Sequence, residues 1–180
     1  MKTKSIPGVI SLESNEYADF YKGYVSNIAT GTIQSLFSAD LDSWENLFKN
    51  LNENEGLKAY APGKWTVKEV ILHCIDTERI FCTRALMIAR GETKSIPGYD
   101  HDLYVAHSNA NDRTLESLHA ELFAQRQSTR ILFETFSDSE LKKIGIANEN
   151  RISVRAIAYI IPGHCLHHLK VLREKYGISF

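Results

Sequence analysis

No apolar run in this chain of 180 residues approaches the ~20 that a membrane-spanning helix needs, so no membrane partner is expected. No basic block stands out either. The 21 Lys and Arg against 22 Asp and Glu leave a formal charge of -1, which gives no electrostatic footprint for nucleic acid. The opening, MKTKSIPGVISLESNEY, lacks the apolar core of a signal peptide, and a cytoplasmic location is the expectation. Cysteine is scarce: Cys74, Cys82 and Cys165 are an odd count without close pairs, which excludes a disulfide framework and reads as small reduced core residues. There is no glycine-rich phosphate loop and no Gly-x-Ser-x-Gly elbow, so neither a nucleotide-dependent enzyme nor a serine hydrolase is supported. Without repeats or low-complexity stretches, residues 1–180 read as one domain, large enough to bury its own core.

What is present is helical periodicity. Residues 14–28 form a short helical stretch with Tyr17, Phe20, Tyr21 and Tyr24 on one face, expected to pack across the outside or end of the body. Residues 32–51 carry Ile33, Phe37, Leu41, Trp44, Phe48 and Leu51 at spacings of four, four, three, four and three, the stripe of a first long helix. Thr66 and Glu69 are placed as a capping box, with Trp65 and Val70 as the hydrophobic staple, at the start of a second helix. It reaches about Arg90, and Gly91 follows as its stop. A third helix spans about 114–136 with Leu115, Leu118, Leu122, Leu132 and Phe136 on its core stripe, interrupted by the inward-facing Gln125 and Thr129. Between it and the fourth helix, 138–141 suits one helical turn. The fourth helix spans 152–176, with Pro162 inside it.

Four such helices and no convincing strand predict an all-α four-helix bundle. The turn before Trp65 is short enough to make helices one and two antiparallel neighbours. The 21-residue connection 92–112 can stretch ~70 Å, whereas the second helix is only ~36–39 Å long. The chain can therefore return along the bundle and start helix three parallel to helix two, an up-down-down-up order with a long crossover.

Histidine placement carries the chemistry. His164 and His168, four apart, share one helix face with Ile157, Ile161, Val171, Leu172 and Tyr176. His73 sits on the inward stripe Val70, His73, Thr77, Ile80 and Arg84 of the second helix. In the up-down-down-up order His73, about 10 Å from the start of helix two, meets His168, about 12 Å from the end of helix four. Two readings fit: core or groove-edge imidazoles with ordinary partners, or a shared transition metal taking a nitrogen from each ring. Three imidazoles leave coordination positions open, so such a site is competent for catalysis. Asp76 and Glu78 lie close enough in sequence to orient His73 or accept a proton, or else to pair with Arg79 or Arg84. His167 points ~100° away from His168 and is left out of the ligand set. His101, between Asp100 and Asp102, suits the site entrance, as do Tyr99 and Tyr104. His164 to His168 has zincin spacing, but Cys165 stands where that mechanism needs a glutamate base.

A resemblance runs over nearly the whole chain from about Glu16. It lies in 60–70 (YAPGKWTVKEV), His73, 76–81 (DTERIF), 84–86 and 88–91, Pro97-Gly98-Tyr99-Asp100, 153–161, and Gly163-His164 with His167-His168. These stretches resemble the DinB superfamily. The resemblance implies an up-down-down-up bundle with a divalent metal, often nickel or zinc, on His73, His164 and His168. The family includes YfiT-like bacillithiol transferases, mycothiol- and glutathione-dependent members, some metal-dependent hydrolases and many members without assigned activity. The leading expectation is thus a metal-dependent transferase joining a low-molecular-weight thiol to a small electrophile in detoxification or stress, with Asp76 or Glu78 assisting. A metal-dependent hydrolase and a non-catalytic metal- or ligand-binding stress protein are the alternatives. The expected partner is a small molecule, with a homodimer through an outer helix face also compatible.

Overall fold

A computed structural model describes residues 10–180. The reading of the opening stretch as lacking a signal-peptide core falls largely outside them.

The first described segment is extended because its hydrogen bonds go to the far end of the chain. The Ser153 amide donates to the Glu16 carbonyl at 2.8 Å and the Ala18 amide to that of Arg151 at 3.0 Å. The buried Glu16 carboxylate accepts from Ser153 Oγ at 2.8 Å and from Arg155. Helix is confined to a 3-10 turn, Asp19–Tyr21, and one α-turn, Lys22–Val25 (α1). The helix predicted over 14–28 is shortened accordingly.

The predicted first helix is two helices, Ile33–Ser38 (α2) and Leu41–Asn50 (α3). Ending α2 before Ala39 frees the Phe37 carbonyl to accept from Arg126 Nη1 at 3.2 Å. Asp40, wholly buried in the break, accepts from Trp44 Nε1 at 2.9 Å and from both Nη atoms of Arg126. The apolar spacing runs straight through this break, so periodicity alone does not show it.

After a single turn, Glu53–Gly56 (α4), comes the longest helix, Val67–Ala89 (α5). Its capping box forms as predicted: Thr66 Oγ1 accepts from the Glu69 amide at 3.1 Å, and Glu69 Oε2 from the Thr66 amide at 2.6 Å. Gly91, at φ +95°, ends it. The Gly91 amide donates to the Ile88 carbonyl and the Glu92 amide to that of Met87, the pairing of a Schellman motif.

The crossover is more ordered than predicted, containing His101–Ala106 (α6) and a 3-10 turn, Ala110–Asp112. It leads to Leu115–Thr135 (α7) and the predicted single turn, Asp138–Leu141 (α8). On α7 the buried stripe is Leu115, Leu118, Leu122, Arg126, Thr129 and Phe133. Phe133 takes the place expected of Leu132, its ring 5.0 Å from that of Phe37.

An antiparallel hairpin then corrects the expectation of no strand: Ile144–Ala147 (β1) and Asn150–Ser153 (β2). Asn148 and Glu149, at φ 49° and 61°, make the two-residue I′ turn whose twist suits a hairpin. Ile96 of the crossover pairs beside it, its amide donating to the Ile146 carbonyl at 2.8 Å. The last helix, Val154–Glu174 (α9), starts two residues later than predicted, capped by Ser153.

Side-chain contacts give the order of the helices. Lys68, near the start of α5, donates to the Arg113 carbonyl before α7, and Cys82 and Thr129 meet further along at 3.2 Å, so α5 and α7 are parallel. The Tyr176 hydroxyl donates to the Trp65 carbonyl at 2.8 Å, and Lys143 to that of Ala89 at 2.7 Å, so α9 is antiparallel to α5. This is the up-down-down-up bundle with its long crossover. Among the described residues no helix is long and apolar enough to cross a membrane.

Candidate metal centre

The antiparallel pairing of α5 and α9 brings three imidazoles to one point. His164 Nε2 lies 3.2 Å from His73 Nε2 and 3.1 Å from His168 Nε2, and one nitrogen from each ring falls within 4.8 Å of the others. His73 and His164 are buried and His168 partly so. Burial, with a smaller push from His101, lowers the His73 pKa to about 4. Burial and the neighbouring rings lower that of His168 to about 3 and hold His164 well below the ordinary value. All three rings are therefore neutral near pH 7, with lone pairs free to bind.

Hydrogen bonding alone does not satisfy this arrangement. Two neutral rings can share one N–H between facing nitrogens, but three converging Nε2 atoms leave either two donors on one lone pair or a lone pair unused. A single cation accepts all three lone pairs at once, so the residues fit a metal. Behind His73, Thr77 Oγ1 stands 3.4 Å from Nδ1 and 2.6 Å from the Tyr99 hydroxyl, so it can accept from Nδ1–H while donating to Tyr99, in the tautomer that leaves Nε2 free.

A sequence model described as the DinB superfamily matches residues 36–172. The chain belongs to the DinB superfamily. No curated protein matches it in sequence. Among solved structures it is similar to YfiT from Bacillus subtilis, described as a probable metal-dependent hydrolase with an unusual four-helix bundle topology. That likeness has a TM-score of 0.70 at 20% identity, over 82% of this chain and 86% of YfiT. A mycothiol-dependent maleylpyruvate isomerase follows at 0.62 and 10%, over 76% of this chain and 58% of that one. A DinB-like protein, YjoA, also from Bacillus subtilis, aligns at 0.56 and 15%, over 82% and 94%. At these identities the likenesses bear on fold.

The cavity of this DinB protein holds about 240 Å³. Besides the three histidines it is lined by Trp65, Thr77, Phe81, Arg84, Tyr99, His101, Asn148 and His167, and by Phe20, Tyr21 and Tyr24. The Trp65 ring lies 4.8 Å from that of His73, a second use for the residue read as a staple. His101 is at the mouth, its ring 5.9 Å from His73, and Tyr104 packs tilted against Tyr99, outside the lining. Gly163 lets α1 come close: a Cβ there would stand 2.1 Å from the Tyr24 carbonyl oxygen. The Tyr24 ring thereby reaches 5.3 Å from His164 and 5.7 Å from His167.

Asp76 and Glu78 are not brought to the imidazoles. Asp76 pairs with Arg79 at 3.3 Å, and burial, opposed by Arg79, raises its pKa. Glu78 is buried on another face of α5, where it accepts from Arg126 at 3.0–3.1 Å and from Thr129 at 2.6 Å. Arg126, bound also to Asp40, was absent from the sequence reading, although the inward-facing Thr129 signalled that polar layer. Cys74 and Cys165, neither of which lines the cavity, form with His164 a second set of converging ligand atoms. A hydrogen bond with Cys74 and burial push the Cys165 thiol well up, so it stays protonated in the core.

Proposed function

We propose that this protein is a divalent-metal-dependent transferase that joins a low-molecular-weight thiol to a small electrophile, with the metal held by His73, His164 and His168. The observation that carries the reading is the convergence of three neutral imidazoles, with His164 Nε2 3.1–3.2 Å from the other two Nε2 atoms, in a cavity large enough for a small organic molecule. A divalent zinc or nickel bound there supplies Lewis acidity and lowers the pKa of a thiol or water. The rest is done by the chain. Thr77, held by Tyr99, fixes the His73 ring; Trp65 and Tyr24 wall the triad; His101 and His167 line the mouth. As the sulfur–carbon bond forms, the bond from that carbon to its leaving group (iodide, for iodoacetamide) breaks and the group departs as the anion, while the thiol proton passes to a ring nitrogen of His101 or His167, both of which line the cavity. Asp76 and Glu78, occupied by Arg79 and Arg126, have no direct part in this scheme.

The description of YfiT as a probable metal-dependent hydrolase favours a second reading, in which water replaces the thiol. One experiment separates them. Protein purified without a histidine tag is analysed for metal per chain, as wild type and His73→Ala, then assayed with iodoacetamide plus several thiols, and with esters and amides without thiol. Near-stoichiometric metal lost in His73→Ala, with thiol-dependent turnover, supports the transferase. Ester or amide turnover without thiol supports the hydrolase. Protein that stays empty after zinc and nickel are offered overturns both.

A further inference from the structure

Among the described residues Arg84 and Arg126 are buried and Arg155 is partly so, and the last two are neutralised. Arg126 is bound by Asp40 and Glu78, and Arg155 by Glu16. Arg84 is 5% exposed, yet no carboxylate pairs with it among the described residues. Its Nη2 donates to the Pro97 carbonyl at 3.2 Å, its carbon lies 5.4 Å from the Phe81 ring and 6.0 Å from that of Tyr99, and its buried Nε has no acceptor. A guanidinium cannot shed its charge, so a buried one lacking a counter-ion is costly unless a ligand supplies it.

The surroundings say what that ligand is. Arg84 lines the same cavity as the three histidines, and none of the lining residues is Asp or Glu. The walls beside it are aromatic (Phe20, Tyr21, Phe81, Tyr99), with the Asn148 amide at the mouth. One planar cation between apolar walls suits a carboxylate on an apolar body, whereas a doubly charged phosphate would call for further cations. Eleven residues separate His73 from Arg84 on α5, about 16 Å of axis, shortened because both side chains lean N-terminally and the longer arginine reaches further. A molecule spanning both is then on the order of 10 Å long, consistent with the cavity.

We propose that Arg84 is an anion-recognition residue and that one of the small molecules taken into this cavity carries a carboxylate that pairs with it while its reacting end faces the histidines. This rests on the reading of the cavity as the reaction site. The carboxylate belongs either to the thiol or to the electrophile.

The first test uses metal-stripped wild type, where Arg84 is the fixed cation of the cavity. Binding of 3-phenylpropionate and of its neutral amide is followed by calorimetry and Trp65 fluorescence. A preference of at least 10-fold for the carboxylate, abolished in Arg84→Gln and partly kept in Arg84→Lys, is the expected result. Equal affinities in wild type, no binding of either probe, or a preference that survives in Arg84→Gln overturns the proposal. The wild-type comparison decides even if both variants fail to fold. The second test restores metal and crosses 3-mercaptopropionate or 2-mercaptoethanol with iodoacetate or iodoacetamide. The partner whose carboxylate lowers KM in wild type but not in Arg84→Gln is the one seated on Arg84. Carboxylate-selective binding without turnover leaves the anion site standing and removes the transferase reading; turnover indifferent to both carboxylates does the reverse.

Discussion

Gly163→Ala sets two effects of opposite sign against each other. Gly163 lies inside α9, where alanine is the better helix former by about 1 kcal/mol, so local propensity predicts a more stable protein. The packing predicts the reverse. The new Cβ would meet the Tyr24 carbonyl oxygen at 2.1 Å, more than an ångström inside ordinary contact, and its carbon at 2.7 Å, and both are backbone atoms that no rotamer change can move. Overpacking of this kind costs about 1–3 kcal/mol, and displacing α1 also strains the 3.1 Å bond from Asn27 Nδ2 to the Gly163 carbonyl, worth about 1 kcal/mol. The net expectation is a loss of about 1–2 kcal/mol. For a chain of this size that lowers Tm by roughly 2–8 °C. Urea denaturation of wild type and variant at matched metal content measures it, with the slope checked for constancy. A variant more stable by about 1 kcal/mol would refute the close approach, and with it the placement of Tyr24 against His164.

Arg126→Met should cost about 3–5 kcal/mol in urea denaturation, because it leaves Asp40 and Glu78 buried without a counter-ion. Glu78→Gln should lower stability while leaving metal content at the wild-type value; loss of metal in that variant would return Glu78 to the site. The Glu16 carboxyl is pushed up by burial but held below its ordinary value overall by Arg155, the Glu13 amide and Ser153. Its folded pKa being the lower one, its contribution is complete above the unfolded value near 4.5 and is lost as pH falls through the folded value. Acid titration of stability should therefore be steeper below pH 4.5 in wild type than in Glu16→Gln, and parallel curves would contradict the assignment.

The elements legible in the sequence are those decided within about one helical turn. The Thr66–Glu69 box and the Gly91 stop depend on residues three or four apart and form as their spacing predicts; the apolar stripes form in the main, with the first broken before Asp40 and Phe133 in the place of Leu132 on the third. His164 and His168 were legible as a pair for the same reason, and His73 through the axial level that chain order and helix length impose. Tertiary structure decided the rest. The break at Asp40 exists because Arg126, 86 residues away, takes the freed carbonyl and the carboxylate. The extended opening exists because Glu16 bonds to Ser153 at a separation of 137. Glu78, one residue from Thr77, turns to Arg126, and Arg84, read on the inward stripe and as an ion-pair partner, is left without a carboxylate among the described residues, lining the same cavity as the histidines. A buried charge takes its role from whichever partner the packing delivers, and that partner lies a whole fold away in sequence.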